Sequence, residues 1–311
     1  MAKPYYGGQA VIEGVMMKGP KHWSLAVRAP AGNIVEVDEK SNSIGDRWPI
    51  LRKPLLRGIV VLIETLILGV KTIAISANLS LGESSEEQIT SKEMVITLGL
   101  ALILVVGLFM ILPIYFTRAV DPSRYNHLLF ALIEGTFRIA LFVGYIAVIS
   151  RLKDIQRVFQ YHGAEHKTIH TYEAGEELTP ANAAKYSTLH VRCGTAFMLI
   201  VMVVAIFTFA FLPVNNVLLR LFGKILLLPI VAGIAYEVTR LAAKYEKSML
   251  MKILMAPGLW LQKLTTKEPD EPQLEVAIYA LKRVLVAEGV LEEAQELQTG
   301  TQSTLVSLES P

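Results

Sequence analysis

The segment Met94–Phe116, MVITLGLALILVVGLFMILPIYF, has no charged side chain over 23 consecutive positions. A helix needs about 20 mainly apolar residues to cross the hydrocarbon core of a bilayer. The whole chain is 52% hydrophobic and only 19% charged, whereas soluble domains average about 25% charged residues. These features predict an α-helical polytopic membrane protein in which this segment is one transmembrane helix.

Three more segments are predicted to cross the membrane, which gives about four transmembrane helices in two hairpins, at 94–150 and 195–240. They are His127–Ser150, Thr195–Leu212 and a helix within Val217–Val238. The last one carries Arg220 and Lys224 near its start, where long cationic side chains are expected to snorkel toward the lipid headgroups.

The second predicted span contains two ionisable residues, Glu134 and Arg138, four positions apart. Residues at this spacing lie on one helix face and can pair. Charged groups in membrane helices usually face protein or a water-filled cavity. The pair is interpreted either as a structural ion pair that fixes packing or as part of a polar pathway.

Residues 56–81 are largely apolar but include Arg57, Glu64 and Lys71. Glu64 and Lys71 are seven positions apart and therefore share a helix face. We predict an amphipathic or re-entrant membrane helix here, with a fifth spanning helix as the alternative.

Residues 1–55 are predicted to form a small, soluble, β-rich region. Trp23, Leu25 and Val27 alternate with Ser and Ala, the two-residue period of a half-buried strand. Turn residues follow this run, and a second alternating run comes after them, which predicts a β-hairpin. The preceding stretch GGQAVIEGVMMKGP places four glycines around Glu13. It is interpreted as a site of close backbone approach or as an ordinary glycine-bounded strand.

The polar insert 151–194 separates the two predicted hairpins. Residues 241–290 are expected to form interfacial and soluble helices, followed by a disordered tail at 291–311. With four spans, the N-terminal region, the insert and the C-terminal region lie on one side, which also holds most of the Lys and Arg residues. The positive-inside rule then places the insert in the cytoplasm.

The insert contains YHGAEHKTIHT at Tyr161–Thr171, which holds three of the chain's six histidines and one carboxylate. On a helix, His162, Glu165, His166 and His170 fall within an arc of about 140°. The sequence HGAEH has the H-x-x-E-H form, in which two histidines bind zinc and the glutamate is the general base. The pattern predicts a divalent metal site. The alternative is an ordinary polar face of a surface helix.

A second cluster, YSTLHVRCGT, places His190 and Cys193 three positions apart directly before a predicted span. Nitrogen and sulfur donors suit zinc, so both clusters are predicted to meet at one ion beside the membrane. The alternative is a satisfied histidine and an ordinary buried thiol, since cysteine is often buried without a function. Further candidate ligands or supporting residues are Glu173, Glu177 and Glu237.

Five stretches resemble, in order, the YqhQ-like family of uncharacterised bacterial membrane proteins, whose members are labelled predicted metal-dependent enzymes. They are GGQAVIEGVMMKGP, FQYHGAEHKTIH, HVRCGTAF, AYEVTR and LTTKEPDEPQLEVAIYALK, within about 5–288. The resemblance implies a multi-pass inner-membrane protein with a metal site. The positions that match the family are Glu13, His162, Glu165, His166, His190 and Cys193. Val191 stands where the family's HPRCGT motif has proline.

The leading hypothesis is a membrane-embedded zinc hydrolase at the lipid–water interface, with Glu165 as general base. The alternative is a non-catalytic, metal-binding regulatory or scaffold protein, and a transporter that uses the charged membrane residues ranks third. Expected partners are membrane lipids and a lipid-linked or membrane-peptide substrate, with a homo-oligomer left open. The net charge of +2 gives no nucleic-acid signal.

Overall fold

The computed structural model describes residues 5–82, 88–121, 126–213, 216–245, 248–292 and 303–305. Near the N-terminus, four strands form an antiparallel meander. They are β1 (Gly7–Val11), β2 (Gly14–Lys18), β3 (His22–Arg28) and β4 (Ile34–Lys40). The pairing of Leu25 with Val37 confirms the predicted hairpin.

The tail prediction concerns 291–311. Within it, Ser303–Leu305 forms β5, which pairs with β4 in parallel. Residues 293–302 and 306–311 lie outside the described part of the chain.

The sheet is buried on both faces, so the prediction of a half-buried strand was wrong. Trp23, Leu25 and Val27 face one layer of helix, while Ala26 belongs to the core on the other side. Even Ser24, which the alternation assigned to solvent, is only 1% exposed. The large residues of the alternating pattern pack in one apolar layer and the small residues pack in the other, because small side chains also pack against a helix.

The helices occupy most of the remaining described residues. They are α1 (Ile44–Arg47), α2 (Leu56–Leu81), α3 (Ser91–Val106), α4 (Leu112–Val120), α5 (His127–Ile149), α6 (Lys153–Ala174), α7 (Pro180–Ala183), α8 (Gly194–Phe209), α9 (Val217–Lys244), α10 (Met249–Thr265) and α11 (Glu271–Ala287). A 3-10 turn covers Pro49–Arg52, and a π-helical turn at Gly107–Ile111 joins α3 to α4.

In the described part of the chain, four helices are long and apolar enough to cross a membrane. They are Leu56–Leu81, Lys92–Val120, His127–Ile149 and Val217–Lys244. Three of them coincide with predicted spans. The predicted span Thr195–Leu212 forms α8, which has 16 residues and a length of about 24 Å, short for a hydrocarbon core of about 30 Å.

Helix α2 lies along one face of the sheet. Leu68, Ile75 and Leu79 pack against the strands' apolar side chains. The two charged residues that share its face also bond to the N-terminal region: Lys71 pairs with Glu39 at 2.7 Å, and Glu64 accepts a hydrogen bond from the Ser43 hydroxyl at 2.9 Å. The charges within this apolar segment therefore attach the helix to the β-rich region.

The helix Lys92–Val120 contains a proline, Pro113, whose ring nitrogen cannot donate to the carbonyl of Phe109 four residues earlier. The π-helical turn accommodates this gap. The Phe109 carbonyl instead accepts a hydrogen bond from Arg138 Nε at 2.8 Å. A backbone group left free by one helix thereby fixes a charged side chain of its neighbour α5.

Glu134 collects three cations inside the helical bundle, in what we call the Glu134 cluster. Its carboxylate pairs with Arg138, as predicted, and also with Arg220 and Lys224. Arg220 and Lys224 are fully buried, so the prediction that they snorkel to the headgroups was wrong. Both cations pair with the buried Glu134 carboxylate and do not extend to the headgroups, because a charge in a low-dielectric interior requires a partner.

Helices α6 and α11 cover the second face of the sheet and build the largest apolar core. Tyr161 and Ala164 of α6 are fully buried in it. At the start of α6, Arg157 forms an ion pair with Glu13, which sits in the β1–β2 turn with φ of 53°. The opposite face of α6, which carries the histidines, is turned toward the 186–195 segment and the end of α10.

Candidate metal centre

Three predicted ligands form one group, which we call the first group: His162, His166 and Cys193. Each offers one ligand atom, and these atoms all lie within 4.8 Å of one another. His162 Nε2 is 3.2 Å from Cys193 Sγ, and the two imidazole centroids are 4.5 Å apart. The one-turn spacing on α6 places the histidines side by side, and Cys193 enters as the N-cap residue of α8.

Backbone carbonyls orient both imidazoles of the first group. His162 Nδ1 donates to the carbonyl of Thr265 at 2.8 Å, and His166 Nδ1 donates to the carbonyl of Thr188 at 2.5 Å. A neutral imidazole that donates through one nitrogen carries its lone pair on the other. In each ring, Nε2 is therefore the acceptor nitrogen, and both are held as metal-binding histidines usually are.

The Nε2 atom of His166 is buried and has no hydrogen-bond partner among the described residues. Burial lowers the pKa of His166, an effect that the nearby Cys193 partly opposes. The ring is thus neutral at pH 7. A desolvated lone pair without a donor is costly, and a cation at this position would satisfy it.

Gly163 allows the chain after α10 to reach the histidines. A Cβ at this position would overlap the carbonyl oxygen of Lys267 and lie 3.2 Å from the Thr188 side chain. The Lys267 N–H donates to the carbonyl of Phe159 at 2.9 Å. Gly163, which lowers helix propensity, is therefore what brings the Thr265 carbonyl to His162.

His170 and His190, also predicted as ligands, lie in a separate group with Glu173, which we call the second group. The ligand atoms of these three residues again lie within 4.8 Å of one another. His170 Nε2 donates to the carbonyl of Leu189 at 2.9 Å. The fully buried side chain of Gln262 bonds both the N–H and the carbonyl of His190, at 2.9 Å each.

Glu165, the predicted general base, belongs to neither group. Its side chain is 5% exposed and packs against Gly8 of β1. Burial raises the pKa of Glu165, while His162, His190 and the Gly8 N–H act in the opposite direction. The carboxyl group thus lies close enough to the histidines to sense their charge, and its desolvation favours the protonated form.

The remaining candidate residues lie elsewhere. Glu237 pairs with Arg57, and the exposed Glu177 is in neither group. Glu64 and Lys71 bond to the N-terminal region, whereas Glu134 and Arg138 bond to each other. These four charged residues of the transporter hypothesis therefore divide into two separate sets.

Sequence reasoning missed the residues that orient the site. Thr188 and Thr265 act through their carbonyl groups, which every residue possesses, so no residue type signals them. Gln262 is a weaker omission, because a glutamine within the apolar helix α10 is a detectable anomaly that requires buried partners.

The donor atoms of the first group suit zinc. Imidazole nitrogen and thiolate sulfur are both zinc donors, and three protein ligands leave a fourth position open for water or substrate. The second group offers two nitrogens and a carboxylate, which also bind first-row divalent ions. The arrangement can therefore hold a divalent cation at the end of the bundle's helices.

Comparisons with known proteins agree with the resemblance. A family model described as "Protein of unknown function (DUF1385)" matches residues 53–287. The chain is also 36% identical, over 308 residues, to "Uncharacterized protein YqhQ" of Bacillus subtilis (strain 168), covering 94% of this chain and 96% of that protein. No solved structure matches. Neither description names an activity or a metal.

Proposed function

The chain belongs to the DUF1385 family, and from its histidine site we propose that it is a membrane-embedded, zinc-dependent hydrolase. The observation that carries the proposal is the first group, in which two histidines are oriented by backbone carbonyls and meet a thiol. A helix pair held only for packing would not need a buried, unsatisfied His166 Nε2.

His162, His166 and Cys193 would hold the ion in this proposal. Bound zinc supplies a Lewis acid and lowers the pKa of water to near neutrality. Glu165 would accept the proton as general base. Burial raises the pKa of Glu165, and the proposal requires its side chain to turn from Gly8 toward the histidine face.

The substrate class follows from the surroundings of the site. Cys193 begins α8, an apolar helix, and Thr265 ends α10, whose exposed face includes Met249, Ile253 and Trp260. The apolar helices on both sides support a site at the lipid–water boundary, and the proposal puts it on the cytoplasmic side of a bacterial inner membrane. A lipid-linked molecule or a membrane peptide is the substrate that reaches such a site.

Zinc content tests the proposed metal. The full chain, purified in detergent, is expected to retain about one zinc ion per chain or more, measured by elemental mass spectrometry. His162→Ala and His166→Ala should lose the zinc of the first group, while His127→Ala, a histidine outside both groups, should retain it. Equally low zinc in all four proteins would contradict the proposal.

Hydrolysis is tested with Glu165→Gln. Zinc-loaded protein in liposomes made from bacterial membrane extract is assayed by mass spectrometry for newly released water-soluble fragments. Loss of a general base typically costs 10²–10⁴-fold in rate, so Glu165→Gln should retain zinc and lose release.

The second candidate function is a non-catalytic, metal-binding regulatory or scaffold protein. The packing of Glu165 against Gly8, outside both groups, favours it. If so, Glu165→Gln should retain zinc and behave as the wild type in every assay, and zinc-loaded wild type should release nothing above the metal-free protein.

A further inference from the structure

We propose that the chain binds a second divalent cation, at His170, Glu173 and His190, beside the ion of the first group. This inference rests on the proposed function in that it makes the centre binuclear. The two groups share no residue, and each brings its three ligand atoms within 4.8 Å of one another. One ion therefore cannot use both sets of ligands in this arrangement.

Both groups draw on the same face of α6. His162, His166, His170 and Glu173 are spaced by four, four and three residues, so their side chains follow one another along the helix. The face thus supplies two ligands to each group. His190 and Cys193, three residues apart in the segment before α8, complete one group each.

The imidazoles form a continuous row. The ring centroids of His166 and His190 are 5.5 Å apart, and those of His170 and His190 are 4.7 Å apart. His190 of the second group therefore lies beside His166 of the first. Two-metal hydrolases likewise use two neighbouring ions on one substrate, although their ions lie about 3.5–4 Å apart.

His170 is oriented like the histidines of the first group. Its Nε2 donates to the carbonyl of Leu189, which leaves the lone pair of the neutral ring on Nδ1. Three of the four histidines in the row thus donate to a backbone carbonyl. His190 differs, because its Nδ1 accepts the Arg192 N–H at 3.3 Å, a contact that would be given up when its Nε2 binds an ion.

A cation already lies at the second group. The Arg192 guanidinium pairs with Glu173, and its Nη2 lies 3.5 Å from His190 Nε2. The Glu173 carboxylate is itself 3.7 Å from His190 Nε2. Positive charge is therefore favoured at this position, and a divalent ion would compete with Arg192 for the carboxylate.

The displaced guanidinium has an alternative contact. Arg192 lies over the ring of Tyr5, 4.7 Å from its centroid, and a cation–π contact of this kind persists without the carboxylate. Glu173 is also half-exposed, with 36% of its side chain accessible. The second ion would thus be the more exchangeable of the two, whereas His166 and Cys193 of the first group are buried and His162 is partly buried.

Cobalt titration of the metal-free full chain in detergent separates the two sites. Only the first group contains sulfur, so the thiolate-to-cobalt charge-transfer band should saturate at one equivalent. The visible d–d absorption should continue to rise to two equivalents. Glu173→Gln and His170→Ala should remove the second phase and retain the first, while His166→Ala should remove the charge-transfer phase. His127→Ala should match the wild type.

Arg192→Gln sharpens the test. It removes the competing cation and should tighten the second equivalent by about tenfold, the size expected for a unit charge a few ångströms away in a partly hydrated setting. A structural role for Arg192 alone would move thermal stability but not the second binding constant.

The outcomes are distinguishable. A single equivalent in the wild type, unchanged in Glu173→Gln, His170→Ala and Arg192→Gln, would overturn the second site and leave the zinc hydrolase standing. No cobalt bound in any variant would overturn both. Two equivalents with no hydrolysis would support the second site and contradict the proposed activity.

Discussion

The first group and the Glu134 cluster each contain two polar residues four positions apart on one helix. They differ in the partners that these residues find. Around Glu134, three cationic side chains share one carboxylate, and Arg138 also donates to a backbone carbonyl. In the first group, two imidazoles direct acceptor nitrogens toward a thiol, and one of them is buried without a partner among the described residues.

In the proposed function, the difference is that between a structural cluster and a metal site. Charge pairing within the Glu134 cluster gives each member a partner, so it holds helices α5 and α9 together. The first group satisfies its outer hydrogen bonds and pairs His162 Nε2 with the thiol, but it leaves His166 Nε2 without a partner among the described residues. This one open nitrogen, more than the density of charged or polar groups, is the feature on which the proposed metal site depends.

Removing the carboxylate of the Glu134 cluster should have the largest effect. Glu134→Ala leaves three buried cations without a counter-ion, and breaking a buried pair typically costs about 3–5 kcal/mol. Thermal unfolding in detergent measures the loss, and Glu39→Ala, which breaks the surface pair with Lys71, should cost less than about 1 kcal/mol.

The zinc content of folded Glu134→Ala should remain that of the wild type. Adding Lys224→Met should recover part of the lost stability, since one unpaired cation is removed. A variant as stable as the wild type would show that the cluster does not depend on its charge balance.

His166→Ala should produce the reverse pattern. Loss of one of three protein ligands should weaken zinc binding by at least about 10²-fold, more than the 10–100-fold typical of outer-shell changes. Stability without metal should fall by less than in Glu134→Ala. The lost imidazole leaves a cavity and an unpaired Thr188 carbonyl, but the variant also removes a buried, unsatisfied nitrogen and leaves no charge uncompensated. Calorimetric zinc titration measures the affinity, and thermal unfolding without metal measures the stability. Strong destabilisation with unchanged zinc affinity would show that His166 is a structural residue and not a ligand.

Gly163→Ala should have an intermediate effect that acts through the backbone. The added methyl group meets the Lys267 carbonyl and displaces the segment that orients His162, so zinc affinity should fall by about 10–100-fold. Gly144→Ala, in a helix with open space around the position, is the control. Equal zinc affinity in the two variants would show that the Thr265 carbonyl is unimportant.

Pro113→Ala should have the smallest effect. The new N–H would donate to the Phe109 carbonyl, which also accepts from Arg138, and a carbonyl oxygen has two lone pairs. We expect a stability change below about 1 kcal/mol in thermal unfolding, within the range of a single hydrogen bond. A loss comparable to that of Glu134→Ala would mean that the π-helical turn itself holds the cluster.

Sequence periodicity predicted the parts of this molecule that depend on neighbours along the chain. The β3–β4 hairpin, the Glu134–Arg138 pair and the side-by-side placement of His162 and His166 all follow from spacing. Contacts over long separations were not accessible in the same way. Arg220 and Lys224 bond to Glu134, which lies 86 and 90 positions earlier in the chain. Their position near the start of a predicted span instead predicted contact with the lipid headgroups.

The spacing of residues along the sequence also could not predict that the ligands divide into two groups. An arc of about 140° on one helix is compatible with one ion or with two, and the choice depends on where the 186–195 segment passes. Gly163 shows the same limit, since its cost to the helix is visible in the sequence but the approach of Lys267 is not.

The bond between His162 and Thr265 spans 103 positions of the chain. A ribosome that adds about 5–20 residues per second completes the histidine helix roughly 5–20 s before it makes the carbonyl that aligns it. During that interval the nascent polypeptide exposes imidazoles and a thiol that have no fixed geometry. In the proposed zinc protein, the histidine ligands therefore reach their final orientation only after Thr265 has been synthesised.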